Sequence, residues 1–314
     1  MSRVRALGSA SVATPVLEWL ASAPNRVGQV VWAGPSGAYL RFDGFVLAVT
    51  AIGVGRMPNG VSVTDALPTS VRAGLRARVR PEVLEVGDVL SVRLEGEPWE
   101  PRPSTAFDGR DLAERGASIL RALGLGAAAP AERVAAIAHR SRLDDHREAL
   151  DGSAALLRWL DLEGEDDARL ASERLIGRGP GLTPVGDDLL AGVGFARAMV
   201  GSDPRALGAL CPPDVDLRTN ALGATLLRLA VQGRAIEAAA RLMDPRSDLR
   251  EALARLRRFG RTTGSAYALG IGISLAPGWG HRDGSAEGSR DRSDESPSPG
   301  FAGDLTVLHD DPAA

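Results

Sequence analysis

A chain of 314 residues, 44% hydrophobic and 25% charged, can bury a full core and reads as globular, with room for two domains. Its formal net charge of −3 removes the electrostatic reason to expect nucleic acid or an acidic membrane as a partner. The single cysteine, Cys211, excludes an internal disulfide and a cysteine-rich metal site, and beside Pro212 and Pro213 it reads as a small loop residue rather than a nucleophile.

Arg3 and Arg5 open a weakly apolar stretch that Gly8, Ser9, Ser11, Thr14 and Glu18 interrupt, which argues against a secretory signal and for a cytoplasmic protein. Residues 15–23 form a short helix, with Pro15 at an early helical position. From Gly28 to Glu97 the apolar period becomes two. Strands are expected at 29–32, 38–42, 45–49, 61–63 and 89–94, with a hairpin turn at Asp43-Gly44. Three prolines between Pro98 and Pro103 mark a boundary.

Beyond it the period is helical. Helices are expected over 108–123, 130–139, 153–162, 166–175, 216–232 (ended by Gly233), from Asp248 to Phe259, and over 262–275. Asp248 and Glu251 make a D-x-x-E cap. Thr262 to Gly280 carries no charge, yet its five glycines, Pro277 and several hydroxyls fit a buried core helix better than a membrane span. From about His281 the composition falls to Gly, Ser, Asp, Arg, Glu and Pro, too polar to fold alone, apart from the apolar island 305–308.

The expected fold class is therefore α+β. A small N-terminal antiparallel β domain, an open sheet or a partly closed barrel, covers 1–100. A mostly α-helical domain covers 101–280, and a disordered tail covers 281–314.

The densest chemistry lies between Gly177 and Asp188, where glycines, two prolines and adjacent carboxylates run into an apolar helix. Gly177, Gly179 and Gly181 allow positive φ and a close backbone approach, and successive N–H groups in such a turn form an anion-binding nest. Gly186 continues the pattern. Pro180 and Pro184 stiffen the loop, and Thr183 offers a hydroxyl. One acid is explained by the helix dipole. Two neighbouring acids, Asp187 and Asp188, point in different directions, so they fit hydrogen bonding to an amide or amine, proton transfer, or Mg²⁺ at the pair. The competing reading is a tight turn in which one aspartate caps the helix and the other faces solvent.

Arg178 can balance charge on an acyl or phosphoryl oxygen. All 37 basic residues are arginine, so neither a Schiff-base lysine nor a P-loop lysine is available. A second loop, 260–265, opens the last helix with Arg261, Thr262 and Thr263. Gly270 and Gly272 on that helix would let it pack closely against Gly192 and Gly194, bringing both loops to one cleft. His139, His146, His281 and His309 match no zinc spacing, so no metal site is assigned. No nucleophile elbow or dinucleotide fingerprint is present. No cofactor is assigned beyond the Mg²⁺ option.

The run from Gly177 to Gly192, Gly-x-Gly-Pro-Gly-Leu-Thr-Pro-x-Gly-Asp-Asp-Leu-Leu-Ala-Gly, resembles the signature of the AllH-like bacterial family, which includes a subunit associated with oxamate carbamoyltransferase in allantoin breakdown. The segments 218–227 and 260–270 resemble later blocks of that family, and the resemblance spans about 10–276. It implies a carbamoyltransferase-like enzyme or subunit acting on a small amide or carboxylate substrate with carbamoyl phosphate, together with partner subunits in an oligomer. On that reading Asp187 and Asp188 are catalytic, and Gly177, Arg178, Gly179, Gly181, Thr183, Gly186, Arg261, Thr262 and Thr263 bind the ligand. At 260–266 the chain departs from the Gly-His-Thr-Ser-Gly-x-Asp expected there. That departure favours a non-catalytic, ligand-binding or regulatory subunit as the alternative. Mg²⁺-dependent phosphoryl transfer is a third reading.

Overall fold

A computed structural model of the protein describes residues 4–103, 109–126, 130–140 and 146–276. The N-terminal region contains β1 (Arg5–Ala13), α1 (Thr14–Ser22), β2 (Arg26–Gly34), β3 (Gly37–Phe42), β4 (Phe45–Ala51), β5 (Gly60–Val63), β6 (Arg76–Arg80), β7 (Val83–Val86), β8 (Leu90–Arg93) and β9 (Glu97–Trp99). Its strands run in the order β5-β4-β3-β2-β6-β7-β8-β1, and β1 pairs back onto β5, so among the described residues eight strands close a barrel. β9 adds beside β1.

The expected α+β class holds, and the barrel is closed rather than partly open. It is also mixed rather than purely antiparallel. β1 runs parallel to β8, pairing Leu7 with Val92, and β4 runs parallel to β5, pairing Val49 with Val61. The strand β1 does the closing, because it meets β5 on one edge (Ser9 opposite Val63) and β8 on the other.

Alternation along β4 shows how the barrel meets the rest of the chain. Leu47 and Val49 belong to the barrel core, whereas Val46 and Ala48 belong to the helical core. A strand sandwiched between two cores is apolar on both faces, as Phe-Val-Leu-Ala-Val is. The contact is pinned by the Val46 N–H, which donates to the Thr225 hydroxyl at 3.1 Å.

The helical region comprises α2 (Gly109–Ala122), α3 (Pro130–Arg140), α4 (His146–Leu162), α5 (Glu165–Leu175), α6 (Val185–Met199), α7 (Pro204–Leu210), α8 (Val215–Arg218), α9 (Ala221–Ala230), α10 (Glu237–Met243), α11 (Leu249–Leu256) and α12 (Thr263–Leu275). At the start of α11 the Asp248 carboxylate accepts from the Glu251 N–H at 2.7 Å, as its cap pattern predicts. The helix expected over 216–232 is instead two, α8 and α9. Thr219 is extended, and the Asn220 side chain accepts from the N–H groups of Leu222 and Gly223, so a cap restarts the helix there.

The centre of this region is α6, buried from Val185 to Ala196, packed against α12. The glycines allow the approach: a Cβ on Gly192 would lie 2.2 Å from the Tyr267 carbonyl oxygen, and one on Gly270 would lie 2.3 Å from that of Leu189. No helix among the described residues is long and apolar enough to cross a membrane. The expected tail from 281, with its apolar island 305–308, lies outside the described residues.

Candidate functional site

The loop between α5 and α6 turns through glycines. Gly177, Gly179 and Gly181 take φ of 76°, 88° and 126°, a region that disfavours side chains. Space is short as well at Gly177, where a Cβ would meet the Arg218 carbonyl oxygen at 2.3 Å. Gly186 is buried beneath the loop. Its N–H donates to the Arg178 carbonyl at 2.9 Å, and a Cβ there would strike the Leu175 carbonyl. Gly186 therefore sets packing, while the exposed rim of the loop is formed by Pro180, Gly181 and Leu182.

Both acids are buried, at 2% exposure for Asp187 and 3% for Asp188, so neither is a solvent-facing cap residue. They do diverge. Asp187 accepts from the Gly177 N–H at 2.7 Å with one oxygen and from the Thr219 hydroxyl with the other. It thereby ties the glycine loop to the α8–α9 break. Asp188 accepts from the Thr183 hydroxyl at 3.0 Å, and that hydroxyl lies 3.1 Å from the hydroxyl of Thr263. The two loops expected to share a cleft thus touch at Thr183 and Thr263. Thr262 flanks the contact, its hydroxyl 3.8 Å from where a Cβ on Gly181 would sit.

Burial decides the protonation of the pair. It pushes Asp187 up to about 6, against the lowering effect of its bonds to Gly177 and Thr219. Asp188 is raised well above the ordinary range, again by desolvation, with Thr183 and Thr263 opposing and the neighbouring Asp187 adding to the rise. Two tyrosines share this environment. Tyr39, on β3, packs against the helical core, and burial, with Asp188 second, raises its hydroxyl pKa. Tyr267, on α12, is raised for the same reasons in the same order.

The arginines lie elsewhere. Arg178 is half-exposed and ion-paired with Glu148 of α4. Arg261 lines a cavity of about 410 Å³ beside the start of α6, together with Thr262 and Val185. On the other side, a groove of about 800 Å³ separates Gln29, Arg41 and Asp43 of the barrel from Thr219 and Asn220. Among the described residues, no three of His, Cys, Asp and Glu are grouped to hold a metal ion. Cys211, at the end of α7, has its thiol pushed up to about 11 by burial, which disfavours a thiolate.

Three residues outside the two loops complete the site, and of these Thr219 and Gly223 were not assigned roles from the sequence. Thr219 bonds Asp187. Asn220 donates to the Leu182 carbonyl at 3.0 Å while capping α9. Gly223 leaves the space that Asp187 fills, since a Cβ there would lie 2.1 Å from its Oδ2. The Thr-Asn pair ahead of an apolar run was the available signal for a cap, and the expected continuous helix obscured it.

The family model described as oxamate carbamoyltransferase subunit AllH matches residues 175–275. The matched segment runs from the end of α5 through α12, so it contains the glycine loop, both acids, the α8–α9 break and the second loop. The resemblance read from residues 177–192 is borne out over that segment. No curated protein and no solved structure matches the chain.

Proposed function

We propose that the protein is a carbamoyltransferase-like enzyme or enzyme subunit, acting on a small amide or carboxylate acceptor with carbamoyl phosphate. The observation that carries this reading is the junction of the two loops at Thr183 and Thr263 above Asp188, within the segment that the family model matches. The described N–H groups of Gly179 and Gly181 have no hydrogen-bond acceptor among the described residues, which leaves them for the donor's oxygens.

In the proposed reaction the acceptor nitrogen forms a bond to the carbamoyl carbon. The bond from that carbon to the phosphate oxygen breaks, phosphate leaves, and the nitrogen's proton passes to that phosphate. Asp187, at about 6, is largely ionised at neutral pH and fixes the loop through Gly177. Asp188 keeps its proton and exchanges it through the Thr183 hydroxyl. Thr262 and Thr263 close the site, Arg261 brings positive charge from the adjoining cavity, and Arg178 contributes only on leaving its ion pair with Glu148. Catalysis on this reading is mainly positioning and electrostatic stabilisation.

The burial of both acids behind the loop favours a second reading, a subunit that binds the ligand without turning it over. Asp188→Asn separates the two, because it keeps shape and neutrality and replaces the acidic carboxyl proton with amide hydrogens too weakly acidic to transfer. Turnover of carbamoyl phosphate with oxamate, by the chain alone and with candidate partner subunits, should disappear in Asp188→Asn while the melting temperature is kept. Unchanged turnover would sink the catalytic role. Carbamoyl phosphate binding without turnover in any combination would establish the second reading. Stabilisation only by Mg²⁺-ATP would instead support phosphoryl transfer at the acid pair.

A further inference from the structure

The cavity beside α6 is lined by two arginines, of which the acid-pair reading uses only Arg261. Its floor is aliphatic: Leu123, Leu125, Val185 and Leu269, each at most 8% exposed. Its rim carries Arg257, Arg261 and His139. Neither guanidinium makes an ion pair or a side-chain hydrogen bond among the described residues, although sixteen such ion pairs engage other arginines. The hydroxyls of Thr262 and Ser265 complete the polar side, and no carboxylate lines the cavity among the described residues.

Paired cations on a surface are ordinary. Two guanidiniums without an ion partner among the described residues, lining one cavity of about 410 Å³ with an aliphatic floor, are not, since that volume lies within the range of small-ligand sites. Their placement also matters. Arg257 caps the end of α11 and Arg261 lies in the loop after it, and both line the same cavity. Guanidinium forks suit planar oxyanions, and an aliphatic floor suits a hydrocarbon body.

We propose that this cavity is a binding site for an aliphatic monocarboxylate, with its carboxylate on Arg257 and Arg261 and its alkyl body on Leu123, Leu125, Val185 and Leu269. The site shares Arg261 and Thr262 with the proposed carbamoyl site, but its other lining residues and its ligand do not depend on chemistry at Asp187 and Asp188. Its polar and apolar halves make separate demands. A simple inorganic anion satisfies only the rim, and an uncharged alkyl amide satisfies only the floor.

The test uses the full chain and calorimetric titration with the unbranched carboxylates from acetate to hexanoate, with inorganic phosphate and hexanamide as controls. Affinity should rise about fourfold for each added methylene until the floor is covered. Hexanamide should bind at least tenfold more weakly than hexanoate. Arg257→Gln and Arg261→Gln should each weaken hexanoate tenfold or more. Leu269→Ala should flatten the dependence on chain length while leaving acetate unchanged, a result that general unfolding would not give. Asp188→Asn should leave hexanoate binding as it is, so loss of carbamoyl chemistry and loss of this site are distinguishable. Affinity independent of chain length, or unaltered by both arginine substitutions, overturns the proposal. Phosphate binding as tightly as hexanoate would reduce the cavity to an inorganic-anion site and overturn it too.

Discussion

Gly192→Ala should lower stability even though alanine is the better helix former. In an isolated helix the change gains up to about 1 kcal/mol. Here the added Cβ lies 2.2 Å from the Tyr267 carbonyl oxygen, where ordinary contact begins at 3.4 Å. The obstacle is backbone on α12, so no rotamer change relieves it, and the two helices must part by roughly an ångström along their contact. Overpacking of this kind costs about 1–3 kcal/mol, and rigid backbone places it at the upper end. After the propensity gain, a net loss of about 2 kcal/mol remains, or a fall of about 3 °C in melting temperature for a chain of this size. Gly208→Ala is the matched control. Gly208 lies in α7 with no atom within 4 Å of its would-be Cβ, so it should melt at or above the parent temperature. Thermal unfolding followed by circular dichroism reads both. If Gly192→Ala melts with or above the parent, the close crossing of α6 and α12 is wrong.

Stability should also depend on pH through Asp187. Its carboxyl is raised from 3.8 to about 6 in the fold, so the folded state holds that proton more tightly. The resulting stabilisation is complete below pH 3.8 and is lost as pH rises to about 6, a change of about 3 kcal/mol. Asp187→Asn should flatten the stability profile over that window in denaturant titrations; an unaltered slope would assign the dependence to another group. Asn220→Ala should cost about 1 kcal/mol through loss of the α9 cap. It should also accelerate hydrogen exchange at Leu222 and Gly223, and unchanged exchange there would refute the cap's role.

What was legible in the sequence had local causes. The Asp43-Gly44 turn, the short strand runs at 29–32, 38–42 and 45–49, and the Asp248 cap each announce themselves within a few residues. The strands β1, β6 and β7 did not. β6 alternates strictly, with Arg76, Arg78 and Arg80 outward, but only Ala77 and Val79 face inward, too short an apolar pattern to stand out. β1 carries Gly8, Ser9 and Ser11, poor strand residues that are accommodated because neighbours hold both its edges. Closure was invisible for the same reason: nothing in Leu7 names Val92.

The acid pair could be located from its loop and helix. Its depth could not, because burial of Asp187 and Asp188 depends on Thr219, Gly223 and Thr263, which come from segments distant in sequence. The short α7 and α10 were missed because seven residues give too few turns for a period to emerge.

The way β1 closes the barrel fixes an order of events in folding. β2, β3 and β4 are joined by tight turns and can pair as soon as they exist, as can β6, β7 and β8. β1 has no such neighbour in the chain. Its partners, Val63 on one side and Leu90 to Arg93 on the other, must both be in place before it can dock. The entropy of those long loops must be met before their contacts stabilise anything, which slows folds built on non-local pairing. A nascent chain ending before Leu90 leaves β1 and β7 with unpaired edges, the form in which strands recruit other chains. The last step in closing this barrel is therefore also the one that removes its exposure to aggregation.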